Sequence, residues 1–170
     1  IDVPVSEPVS SFDVQVVRDL EQKPIPPFSE IEYWWVTTVD LEGSVRNIET
    51  EHFKLEYLDN RFDWQSAQRG AITLYWYEGD LTFGHMAADV ASRSLNEISI
   101  DLAVDPPDRT HIYVYSTGDH LRSGIQMDGR EWVGGHAHPD LGVALVVISP
   151  GGSASLDMRR KIPHELTHVI

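Results

Sequence analysis

The chain has 170 residues, with 27 Asp and Glu against 13 Lys and Arg, for a formal net charge of −14. A surface this acidic repels phosphate backbones, which excludes nucleic acid as a partner, and it disfavours an anionic membrane surface for the same reason. Hydrophobic residues make up 41% of the chain, enough for a packed core, and the absence of cysteine excludes disulfides and thiolate metal sites.

Residues 1–27 are rich in Pro, Ser and Val. Phe12, Val14 and Val16 alternate with Asp13 and Gln15 as in a half-buried strand. Pro24, Pro26 and Pro27 mark a turn, because each lacks an amide donor and has a fixed φ. From Ile31 to Val39 the residues are aromatic and β-branched, a strong strand signal. Asp40-Leu41-Glu42-Gly43 reads as a hairpin turn, with Val45 to Ile48 returning and Phe53 to Leu58 as a further strand. These pieces predict a small antiparallel β-sandwich of Ig-like type over residues 1–60, incomplete at its N-terminus. Asp59-Asn60-Arg61 would mark the domain boundary.

Beyond residue 60 the pattern changes. Ile72, Leu74 and Trp76 alternate with Thr73, Tyr75 and Tyr77, and Glu78-Gly79-Asp80 is a turn able to cap a helix. Phe83, Met86, Ala87, Val90, Ala91, Leu95 and Ile98 then fall at steps of three and four, which places them on one helical face. Asp105-Pro106-Pro107-Asp108 is a loop, and His111 to Tyr115 a strand. Asp119 to Gln126 is a short helix, Gly134-Gly135 a flexible turn, and Gly142 to Ser149 a buried strand. Ser153 or Ser155 would cap a last helix running toward Ile170. The alternation of strands and helices predicts a mixed α/β layer over residues 61–170, and an α+β chain overall. The longest apolar stretch, Val143 to Ile148, falls far short of the roughly 20 residues of a membrane span.

The last helix carries His164-Glu165-Leu166-Thr167-His168, an H-E-x-x-H motif. Residues four apart lie one turn apart on the same face, so both imidazoles can reach one Zn²⁺ ion. Glu165 stands beside them, placed to act as a general base on water whose acidity the ion raises. Chance places such a motif in roughly 3% of shuffled orders of this composition, most of them outside a helix. Here Ile162, Leu166, Val169 and Ile170 supply an apolar stripe at helical spacing. The bland alternative is a helix with two incidental surface histidines. Pro163 is compatible with a motif helix that starts near Ile162 or with a longer one that passes through it, and the helix formers from Ser155 onward favour the longer one.

A catalytic zinc site of this kind takes three protein ligands. The third is expected beyond Ile170, or upstream at His136, His138 or Asp140, since an H-x-H pair on a strand points both side chains the same way. His52, His85, His111 and His120 read as ordinary surface or half-buried residues. Asp59, Asp63, Asp105 and Asp108 read as turn residues. Neither a nucleotide-binding glycine motif nor a G-x-S-x-G serine motif is present.

From about Ile31 onward the chain resembles the bacterial peptidase MA-like proteins of the gluzincin type. The resemblance rests on Tyr33-Trp34-Trp35-Val36-Thr37-Thr38-Val39-Asp40-Leu41-Glu42-Gly43, Asn60-Arg61-Phe62-Asp63-Trp64-Gln65 and Leu74-Tyr75-Trp76-Tyr77-Glu78-Gly79-Asp80. It continues through Ile112-Tyr113-Val114-Tyr115, Glu131-Trp132-Val133-Gly134-Gly135 and Pro139-Asp140-Leu141-Gly142 to Ile162-Pro163-His164-Glu165-Leu166-Thr167-His168, the most specific part. It implies a zincin-like domain, truncated after the motif and expected to be inactive alone, with His164 and His168 as zinc ligands and Glu165 as catalytic base. It further implies a third ligand on a later helix and a peptide or protein substrate held along the Val143 to Ile148 strand as the sheet edge. The implied setting is extracytoplasmic, with any membrane anchor outside this segment. The rival expectations are a non-catalytic extracellular binding or adhesion module with a degenerate zincin domain, and a zinc scaffold or metal-assisted hydrolase acting on other bonds.

Overall fold

The structure is a computed structural model that describes residues 13–17, 19, 25, 28–41, 43–125 and 135–170. The chain is α+β, as its patterning predicts. Residues 13–17 have no regular structure, and Val17 is 80% exposed. Phe12 of the expected first strand and the Pro24, Pro26 and Pro27 turn lie outside the described residues.

The four N-terminal strands are β1 (Glu30–Tyr33), β2 (Val36–Leu41), β3 (Ser44–Glu49) and β4 (Phe53–Glu56). They form two antiparallel ladders, β1 with β4 and β2 with β3, so that one chain reversal nests inside the other. Together they make one long hairpin. Two residues, 34 and 35, separate β1 from β2, whereas three, 50–52, separate β3 from β4. The extra residue works as a bulge does, shifting the register by one. Trp35 and Thr50 hold the junction: the Thr50 amide donates to the Trp35 carbonyl at 3.0 Å, and the Trp35 amide to Thr50 Oγ1 at 3.0 Å. At the tip, the Gly43 amide donates to Asp40 Oδ1 at 2.9 Å, and Gly43 sits at φ +85°, where L side chains are strained. At the base, Phe28 is buried and stacks on Tyr113 with ring centres 3.5 Å apart.

The five-stranded sheet has the order β5 (Gln65–Arg69), β6 (Ile72–Trp76), β7 (Thr110–Tyr115), β9 (Val143–Val147), β8 (Gly135–His138). The central strands β6, β7 and β9 run parallel, and both edge strands are antiparallel to their neighbours. The expectation that the Val143 to Ile148 segment forms the sheet edge is therefore corrected: β9 lies between β7 and β8, and β8 is the edge. The reason is visible in the residues. An all-apolar strand such as Val143–Val147 needs cover on both sides and both faces.

Alternation sorts the side chains into two cores. Ile72, Leu74, Trp76, Ile112, Val114, Ala144 and Val146 pack beneath α1 (Leu81–Leu102) and α3 (Ala154–Val169). The opposite face carries Tyr113, Tyr115, Val143 and Leu145, with Tyr75, Tyr77, Trp64, Phe62 and Phe28 laid over them. Leu121 of α2 (Gly118–Ile125) joins this second core. Asp80 caps α1, its Oδ1 accepting from the Phe83 amide at 2.8 Å. The helix ends four residues later than Ile98, at a left-handed Ala103 (φ 53°). No glycine announces that stop, but the Ala103 and Val104 amides satisfy the Ile100 and Ser99 carbonyls there.

Candidate metal centre

Helix α3 starts at Ala154 and continues through Pro163, so the longer of the two expected helices is the one formed. Ser153 is its N-cap, although its side chain makes no capping bond. Ala154, Met158, Ile162, Leu166 and Val169 form the buried stripe that clamps the helix to the sheet. Lys161 fixes its rotation further, donating to the Val147 carbonyl at the end of β9 at 2.8 Å and pairing with Asp157 at 3.6 Å. Pro163 offers no amide to the Arg159 carbonyl one turn back. The Thr167 hydroxyl donates to the Pro163 carbonyl at 2.9 Å in the same turn.

With the apolar stripe seated on the sheet, His164 and His168 face outward. The His164 side chain is 69% exposed and His168 is also exposed. Their ring centres are 5.1 Å apart with an interplanar angle of 84°. Two imidazoles sharing one tetrahedral zinc at Zn–N of about 2.0–2.1 Å have ring centres about 5 Å apart. Neither imidazole makes a hydrogen bond among the described residues, so both keep nitrogens available for an ion. The pair therefore fits the metal that the sequence predicts. Among the described residues, no group of three or more His, Asp or Glu is arranged to hold an ion.

Glu165 differs from its neighbours. Its side chain is only 7% exposed, and its Oε1 lies 4.0 Å from His164 Nε2. Burial raises its carboxyl above the ordinary glutamate range, and the two imidazoles beside it act in the opposite direction. Its cover is the edge strand. A Cβ built on Gly135 would overlap Glu165 Oε1 and Cδ and lie 2.6 Å from Cγ. The backbone of β8 is thus pressed against the side chain of Glu165. Reading Gly134-Gly135 as a flexible turn missed this contact, because Gly135 begins a strand. A glycine in a strand is itself a signal of close approach, and in principle it was legible.

Of the upstream ligand candidates, His138 is not brought to the motif. His138 pairs in register with Val143, which belongs to the aromatic face, whereas the intervening Ala137 packs with the helix-side core. His138 thus belongs to the sheet face turned away from α3. The side chains of His136 and Asp140 lie outside the described set.

The remaining histidines have local partners or open surface. His52 lies 3.1 Å from Glu32 and 3.2 Å from Glu49 and stacks on Trp34. His111 is half-buried 3.3 Å from the Tyr75 hydroxyl, and His120 lies 2.8 Å from that of Tyr77. His85 is exposed on α1. Asp59 is more than a turn residue. Buried with a side chain 5% exposed, it accepts from Arg61 Nε at 2.8 Å, Arg61 Nη2 at 2.6 Å and the Tyr115 hydroxyl at 2.9 Å. Arg61 in turn donates to Ser123 Oγ and to the His120 carbonyl, tying the segment after the hairpin to α2.

Compared with protein-family models and with curated proteins, the chain matches none. No described helix is long and apolar enough to cross a membrane.

Proposed function

We propose that this chain carries the motif helix of a zinc-dependent peptidase of the gluzincin type, hydrolysing peptide bonds in an extracytoplasmic setting. The observation that carries the reading is the disposition of three side chains on α3. Two exposed imidazoles stand at the ring separation of a shared ion, and a buried carboxylate lies beside them. His164 and His168 hold the ion. Zinc, when bound, supplies Lewis-acid polarisation and lowers the pKa of water. Glu165 accepts a proton at its carboxylate and returns it to the departing amine, a role its burial between β8 and the helix suits. An extended peptide adds alongside β8, the outer strand of the described sheet, which abuts Glu165.

The test pairs zinc content by mass spectrometry with hydrolysis of labelled casein, in the protein that includes the expected third ligand. Glu165→Gln is expected to keep zinc and lose about a hundredfold or more in rate, the scale of a general base. His164→Ala and His168→Ala are expected to lose the metal. Retained hydrolysis in Glu165→Gln overturns the mechanism. A second reading, a non-catalytic binding module, is favoured by the half-exposed aromatics of the hairpin, Tyr33, Trp34, Trp35 and Phe53. Zinc-free protein that fails to cleave any peptide would select it.

A further inference from the structure

Gly135 stands at the start of β8, against the motif helix. The three nearest atoms that a Cβ would meet are all from Glu165: Oε1, Cδ and Cγ. Gly135 is not among the glycines with positive φ, so its backbone conformation is one an alanine adopts without strain. Glycine is required there for space and not for conformation. The space is taken up by the buried carboxyl arm of Glu165, whose neighbours in sequence, His164 and His168, face solvent. Removing the glycine's clearance leaves Glu165 two routes: the side chain leaves its place beside His164, or β8 lifts off α3.

We propose that Gly135 is a positioning residue for Glu165: the bare backbone of the edge strand fixes the orientation of the carboxylate beside the His164–His168 pair. This rests on the peptidase reading for its catalytic consequence, but the contact itself does not. Because no side chain intervenes at residue 135, the edge backbone and the base are immediate neighbours. A bound peptide pairing with that edge is thereby brought alongside the carboxylate.

The experiment is a double-mutant cycle in the full chain: wild type, Gly135→Ala, Glu165→Ala and the double variant, each followed by thermal unfolding. Gly135→Ala is expected to shift Tm, on the order of 5 °C, in the background that carries Glu165. In the Glu165→Ala background the shift is expected to vanish, since the overlapping atoms are gone. An equal shift in both backgrounds, or none in either, overturns the proposal. Zinc content and casein hydrolysis are measured on the same four variants of the protein that includes the expected third ligand. Gly135→Ala is expected to keep zinc and KM and to lose about a hundredfold in kcat, matching Glu165→Gln. Unchanged kcat in Gly135→Ala overturns the positioning role. If the wild-type protein that includes the expected third ligand fails to cleave, the peptidase reading falls, and the Tm cycle still decides whether Gly135 serves Glu165.

Discussion

Single side chains show how tightly this fold is specified. Asp59 is held by Arg61 and Tyr115 with almost no solvent contact. Burial alone would raise its carboxyl, but the hydrogen bonds from Arg61 and Tyr115 outweigh it and hold the group below its usual 3.8. A carboxylate with a depressed folded pKa stabilises the protein above its unfolded value. That stability is lost as pH falls through the folded value. Unfolding midpoints should therefore drop as pH falls from about 4 toward 2, and Asp59→Asn should flatten that part of the profile. At neutral pH Asp59→Ala is expected to cost about 3 kcal/mol, because Arg61 and the Tyr115 hydroxyl lose their shared acceptor. Gly84 shows the same economy on α1: a Cβ there would fall inside the Trp76 indole. Gly84→Ala should cost about 1–3 kcal/mol in chemical denaturation despite the better helix propensity of alanine.

Secondary elements divide into those that the sequence announces and those it hides. β6, β7, β9, α1 and α3 follow from their periods, since each buries a regular stripe. β5 and β8 do not. Gln65–Arg69 is polar with Ala67 as its one buried residue, and Gly135–His138 opens with a glycine; short edge strands need little apolar signal. The return from β3 to β4 was legible as separate strands but not as a single hairpin, because pairing partners 20 to 26 residues apart leave no local trace. At the site, His164, Glu165 and His168 were legible in the motif. The close approach of Gly135 and the turning-away of His138 depend on register, which no spacing in the motif carries. Pro163 is the element that defies propensity. Pro163→Ala restores a donor to the Arg159 carbonyl and should raise the denaturation midpoint, by about 1–3 kcal/mol. A lower midpoint would mean that ring packing outweighs the recovered hydrogen bond.

Across the whole molecule, protection is uneven. The central strands are buried on both faces, whereas every described residue of β3 and β4 is exposed. Amide exchange should be slowest in β6, β7 and β9 and faster by orders of magnitude in β2 and β3, measured under native conditions. Equal protection throughout would mean that the hairpin opens only with the core. Three of the described tryptophans fall on either side of the same divide. Trp76 is fully buried, with an indole nitrogen that has no hydrogen-bond partner, while Trp34 and Trp35 on the hairpin are 44% and 41% exposed. An indole in an apolar, unbonded setting emits at the blue end of its range, and one in water toward the red. Iodide will therefore quench the red part of the emission and spare the blue. A single fluorescence titration separates loosening of the hairpin from melting of the sheet, with no label added.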